Sequence, residues 1–309
     1  MHRPRSLVLL ALAGALVLAG CGLGSGEGTK GTSLTVTLDF GRRTLIDTSS
    51  PKTDGEDTVM RLLQRNAKVT TRYGGGFVQS IDGQAGSADG PAQQDWMYYV
   101  NGVEAPEGAA STDVHDGDRV WWDRHTWAAT QHIPAVVGSF PEPFVHGIDG
   151  KKYPILVECA VVGSPACNLA SKKLGSVGAI SATNRIGASF TQHTIRVLIG
   201  PWAAVRSDPG AKRLELGPAA SGVFAKPSAS GTTIQLLHGD GSPGRTLGAG
   251  TGLVAATAVG DQPPTWVITG TDAAGQLAAA GALDEGTLQH HFALAITGGR
   301  GVDVPEAGP

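Results

Sequence analysis

The chain is poor in the residues that most often carry chemistry. Its 309 residues include only 3 cysteines, 3 methionines and 6 tryptophans. It also lacks an excess of either charge, with 24 Lys and Arg against 27 Asp and Glu, a net of −3. No arginine-rich stripe breaks that balance, so there is no electrostatic footprint for nucleic acid and no such partner is expected. No GxxxxGK[ST] occurs to cradle a phosphate, and no GxSxG to form a nucleophile elbow. His-Glu-x-x-His and CxxC are absent as well, which removes the common zinc and redox signatures. The glycine-rich "GDGSPGRTLGAGTG" precedes a strand-like stretch, not a helix, and is read as turns. No catalytic residue, resident cofactor or metal can be named, and the protein is not expected to be an enzyme. Long apolar runs are missing too. The longest, Leu7 to Leu18, is too short for a standard membrane-spanning helix.

That run follows a basic "MHRPR" and ends in "LAGC", Leu18 to Cys21, the layout of a secretory signal. It resembles a bacterial lipoprotein box. The resemblance implies cleavage after residue 20, a diacylglyceryl group on Cys21, and anchoring on the extracytoplasmic face of the cell membrane. Two acyl chains meet the requirement for stable anchoring. Residues 21–33, rich in Gly and Ser, then read as a flexible tether. The other two cysteines, Cys159 and Cys167, bracket a Gly-Ser-Pro turn. Outside the cytoplasm such a pair is most simply a disulfide.

Beyond the tether, "LTVTLDF" alternates apolar and polar residues, and "GRR" turns it into "TLIDT", the pattern of two paired strands. In "DGEDTVMRLLQRNA", Asp54 or Asp57 is the expected cap, and Val59, Leu62, Leu63 and Ala67 share one helical face. A glycine-loosened "YGGGF" leads into a strand. "DWMYYVNGV" ends in Asn101-Gly102, a strong hairpin signal, and "HDGDRVWWD" supplies an Asp-Gly turn and a last strand. The order is β-β-α-β-β-β. Asp113, His115, Asp116 and Asp118 in "DVHDGD" superficially resemble a calcium loop. No downstream bidentate Glu completes one, so a β-turn is expected.

Taken together, "GGGFVQSIDG", "DWMYYVNGV" and "HDGDRVWWD" resemble the small β-grasp domain related to the C-terminal domain of transcobalamin, found in bacterial lipoproteins as a domain of unknown function. The resemblance covers residues 34–127. It implies a ligand-binding β-grasp module, with a corrinoid suggested by the animal relatives.

Residues 128–150 hold three prolines and no clear period and read as a linker. From residue 151 to 300, strand-like stretches are interleaved with helical text after Gly200 and Thr271. Pro201 is expected to open the first of these helices and Asp272 to cap the second. Residues 301–309 read as a tail. The expected class is α+β: an N-terminal β-grasp domain followed by a separate α/β domain with a mixed sheet.

The tryptophans set the site expectation. Adjacent strand residues point to opposite faces. Assigning Val100 and Val120 to the core sends Trp96, Tyr98 and Trp122 inward, and Met97, Tyr99, Trp121, His125 and Trp127 outward. Tyr99, Trp121 and Trp127, with Tyr73 and Phe77 of the glycine loop at one end, form the candidate ligand face. The linker, the second domain, a ligand or a protein partner could cover it. On this reading Trp122 is needed for the fold and Trp121 is not. The leading function is a membrane-anchored small-molecule-binding lipoprotein. The alternatives are a structural or interaction lipoprotein with an envelope or transporter protein partner, and an enzyme with an unidentified site in the second domain. Convergent polar residues at the strand ends Gly200 and Gly270 would favour the enzyme.

Overall fold

A computed structural model describes residues 29–87 and 93–308 of the chain. The signal segment and Cys21 lie outside the described residues. Among those described, no helix is long and apolar enough to cross a membrane.

The N-terminal half opens with β1 (Ser33–Leu38) and β2 (Arg43–Thr48), paired antiparallel. Helix α1 (Val59–Asn66) follows. Its cap is neither aspartate but Thr58, whose hydroxyl accepts from the Arg61 amide at 3.3 Å. Asp57 is buried one residue earlier, where its carboxylate accepts from Arg65 Nε at 2.9 Å. Next come three short strands, β3 (Val69–Arg72), β4 (Phe77–Ile81) and β5 (Gln84–Ala85), which form a small sheet of their own. Only β4 was legible in the sequence. Strands β6 (Gln94–Val100), β7 (Val103–Glu104) and β8 (Arg119–Thr126) complete the half. The main sheet has the order β2-β1-β8-β6-β7, with β1 and β8 parallel at its centre. Asn101 (φ 54°) and Gly102 (φ 75°) make the turn between β6 and β7, as a two-residue hairpin with both φ positive requires.

The second half begins with β9 (Ile155–Cys159), α2 (Pro165–Ser176), β10 (Ser181–Arg185) and β11 (Ile195–Pro201). Three single-turn helices come next: α3 (Trp202–Val205), α4 (Pro209–Lys212) and α5 (Pro218–Ser221). Strands β12 (Ala225–Pro227), β13 (Ile234–Leu237) and β14 (Pro243–Leu247) form a small antiparallel sheet. The chain then runs through β15 (Gly252–Thr257), β16 (Thr265–Gly270), α6 (Ala273–Gly281), α7 (Glu285–Leu288), β17 (Ala293–Thr297) and β18 (Arg300–Val304). The large sheet, β10-β9-β11-β16-β15-β17-β18, is parallel on one side and antiparallel on the other, so the mixed sheet was rightly expected. Asp272 caps α6 by accepting from the Gly275 amide. Pro201 precedes the first helical residue instead of opening the helix. Two stretches are corrected: "GDGSPGRTLGAGTG" contains β14, and most of β18 lies in what read as a tail.

Three apolar clusters hold the molecule together. One lies between α1 and the first sheet, with Leu34, Leu62, Leu63, Trp96, Val120 and Trp122 at its centre. Another lies between the large sheet and α2 and α6. The third joins the halves: Tyr99 and Trp121 of the first sheet enter the same cluster as Leu198, Val267 and Phe292 of the second. The expected linker contributes to both of the latter, with Ile133 and Val136 in one and Val137, Phe140 and Phe144 in the other. It is a buried strap between the two halves.

Candidate functional site

Strand parity places the aromatics on the expected faces. Trp96, Val100, Val120 and Trp122 belong to the helix-side cluster, and Tyr99 and Trp121 to the other. The candidate ligand face is covered by the strap and the second half, two of the covers expected for it. Tyr99 is 0% and Trp121 3% exposed, and both rings meet Phe292 edge-on, at 5.6 and 5.0 Å between centroids. Gly138 of the strap lies so close that a Cβ there would stand 2.7 Å from the Trp121 ring. Trp121 and Tyr99 are therefore core residues, and the reading of Trp121 as dispensable for the fold is corrected. Trp127 is half-buried and donates to Asp95 at 3.0 Å. Tyr73 and Phe77 pair edge-on at 6.3 Å on the β3–β4 turn. That sheet's Val78 and Ile81 join the helix-side core, so these two rings do not meet Tyr99 and Trp121. Cys159 and Cys167 are bonded, with Cα atoms 5.9 Å apart.

The covered face also hides a polar pin. Asp123 is fully buried and accepts from the Phe40 and Gly41 amides at 3.0 and 2.9 Å. Thr37 donates to it at 2.5 Å, and His125 Nδ1 lies 2.8 Å away. With so many partners, the carboxylate is held in place and not offered to a ligand. In "DVHDGD", Asp118 accepts from Asn101 at 2.7 Å and from the His115 amide at 2.8 Å, which fixes a turn. Among the described residues no group of three metal-type ligands gathers. At the strand ends, Gly200 packs on Ala160 and Gly270 on the backbone of α6.

A concave surface with a half-buried carboxyl lies elsewhere, around the β6–β7 hairpin. Two adjoining hollows of about 370 and 480 Å³ share Val103, Glu104, Ala105, Pro106 and Ile148 as a common wall. The first half and the strap line both, and the second half lines the larger. Val103, Pro134, Ile148 and Tyr153 give an apolar surface, and the loop at residues 258–263 closes one side. The lining charges are of one sign: Glu104, Glu107, Asp113 and Asp149 in one hollow, Glu104 and Asp261 in the other. His132 is the one potentially basic lining group, 3.4 Å from Glu104. Lys151 stands beside the rim on Asp149 at 3.2 Å. Burial raises the Glu104 carboxyl above its ordinary value, against the opposing pull of His132. Sequence reasoning missed this groove. Its parts come from a hairpin, a strap and a distant loop, and no motif spans them.

Comparison with known proteins adds a partial frame. Residues 56–126, from just before α1 to the end of β8, match the model of a domain of unknown function, DUF4430. No curated protein matches the chain. Among solved structures, a Ruminococcus gnavus protein described as a candidate metal-binding protein is 19% identical. The match covers 31% of this chain and 97% of that one, with a TM-score of 0.26. The chain is thus similar to a family of undefined activity over residues 56–126, from α1 to β8.

Proposed function

We propose that the protein is a lipid-anchored, extracytoplasmic binding module whose ligand is a small organic cation with an apolar body. The groove around Glu104 is the observation that carries this reading. Ligand sites are concave, mainly apolar, and favour boundaries between structural units, and a half-buried carboxyl with a raised pKa often marks one. One-signed charge in a hollow attracts the opposite sign. The first half is read as a β-grasp: a five-stranded sheet with a parallel central pair, holding α1 on one face. Anchoring rests on "LAGC" at Leu18 to Cys21. The corrinoid implied by the resemblance was expected on the aromatic face. Tyr99 and Trp121, which would have made it, are buried, and so we place the ligand in the groove. A catalytic role is not proposed.

Calorimetry with benzylammonium, and with benzyl alcohol as the neutral control, tests the groove. The cation should bind, and Glu104→Gln should weaken it about tenfold, worth about 1.4 kcal/mol. Equal binding of the alcohol, or an unaffected variant, would defeat the assignment. Cys21→Ser should move the protein from the membrane to the soluble fraction or block its processing. A structural or interaction role is the second reading, favoured by the filled Tyr99–Trp121 face, and loss of all cation binding would leave it standing.

A further inference from the structure

A second, smaller cleft lies on the other side of the junction between the halves. It encloses about 160 Å³, with Trp121 in its wall; a cavity of similar size is enough for a ring of six carbons. The first half contributes Asp47 and Arg119, the strap Ser139, and the second half Glu285, Gln289 and His290.

One buried polar atom at the cleft lacks a hydrogen-bond partner among the described residues: the Nε2 of His290, with Asp47 Oδ2 3.4 Å away. Ser139, 3% exposed, also lines the cleft. Unsatisfied buried polar atoms cost free energy and are rare without a reason. A ligand that reaches this atom supplies the reason.

The charges in the cleft are of both signs and lie toward different ends. Asp47 on β2 accepts from Gln289 at 2.9 Å and from Thr35 at 3.3 Å. Arg119, two strands away at the start of β8, contacts Glu285 at 2.7 Å and the Phe140 carbonyl at 3.1 Å, both through Nη1. Its planar fork has further donors suited to a carboxylate. Burial holds His290 below its ordinary pKa, against the opposing pull of Asp47.

We infer that this cleft binds a compact zwitterion carrying a primary ammonium and a carboxylate. The ammonium sits on the Asp47 carboxylate beside His290, and the carboxylate takes Arg119 and the Ser139 hydroxyl. Such a ligand bridges the halves of the molecule. This site is independent of the groove around Glu104.

Titration calorimetry on the detergent-solubilised exported protein tests this with glycine, L-alanine and 4-aminobutanoate. Ethylamine and acetate report each charge alone. At least one zwitterion should bind in the millimolar range or tighter, and neither single-charge probe should match it. Arg119→Gln and Asp47→Asn should each weaken binding at least tenfold, with melting curves confirming that both fold. Glu104→Gln should leave zwitterion binding unchanged. Absence of binding by all three zwitterions overturns the inference, as does equal binding of ethylamine or acetate, or indifference to both cleft variants. Loss of benzylammonium binding at the groove would overturn the first site and leave this one standing.

Discussion

Trp121 and Trp122 are neighbours in β8, point to opposite faces of one sheet, and are buried alike, at 3% and 2% exposure. Their surroundings differ in origin. Trp122 stacks on Tyr98 at 4.9 Å and packs among residues of α1 and the strands around it, all within the first half. Trp121 meets Phe292 and His290, and the Cα of Gly138 closes over it. One face is filled by the chain that makes the sheet, and the other by chain from the strap and the second half. They differ in polarity as well. The Trp121 indole donates to Thr37 at 2.7 Å, whereas the Trp122 Nε1 is buried with no hydrogen-bond partner among the described residues. The lesson is that parity sorts side chains between faces but says nothing about what covers a face.

The sharpest way to break the comparison is to truncate each indole. Trp121→Ala and Trp122→Ala should both destabilise the protein by about 3–5 kcal/mol, read from denaturant titration. Phe292→Ala should couple with Trp121→Ala in a double-mutant cycle by about 0.5–3 kcal/mol and be additive with Trp122→Ala. A Trp121→Ala protein with unchanged stability would mean that the junction opens in solution, and the aromatic face would again be a ligand candidate.

A smaller effect sharpens the difference in polarity. The Thr37 hydroxyl accepts from the Trp121 indole and donates to Asp123. Thr37→Val keeps the shape and strands a buried N–H, at a cost of about 1–3 kcal/mol. Trp122 has no such bond to lose, so Trp122→Phe should cost less than Trp121→Phe. The reverse order in thermal melts would count against this account of the polar pin.

The same contrast explains what the sequence made legible. Alternation in "LTVTLDF" and "DWMYYV", the Asn101-Gly102 turn and the one-sided Val59, Leu62, Leu63 pattern are local signals, and the first sheet and α1 follow them. Helix α2 is hard to see because "PACNLASKKLGS" has weak apolar periodicity and its first turn holds Cys167, whose pairing with Cys159 suggests a loop. Strand β10, "SATNR", is an exposed edge strand with no apolar alternation. Strands β14 and β18 were hidden in Gly-rich or terminal text. The small cleft and the larger hollow of the groove escaped notice for a more general reason: their walls are assembled from segments more than a hundred residues apart, and no spacing rule reaches that far.

The smallest expected effect concerns the groove, and its sign is the informative part. Burial raises the Glu104 carboxyl above its ordinary value, while the neighbouring His132, and more weakly His125, pull it down. The folded chain therefore holds this proton more tightly than the unfolded chain does. Stability from the protonated carboxyl is fully present below the unfolded carboxylate range and is lost as pH rises through the raised folded value. At neutral pH the ionised Glu104 is thus a net cost to the fold, and Glu104→Gln, which cannot ionise, removes it. Melting curves from pH 4 to 8 should show the variant gaining on the wild type as pH rises, with the two converging at the acid end. Over the same range the variant should lose benzylammonium affinity relative to wild type. Stability would then be traded for a charge kept available to a cation. A variant less stable than wild type at pH 7 would instead make the Glu104–His132 pair a stabilising contact, and the groove would lose its reason to hold an unmatched carboxylate.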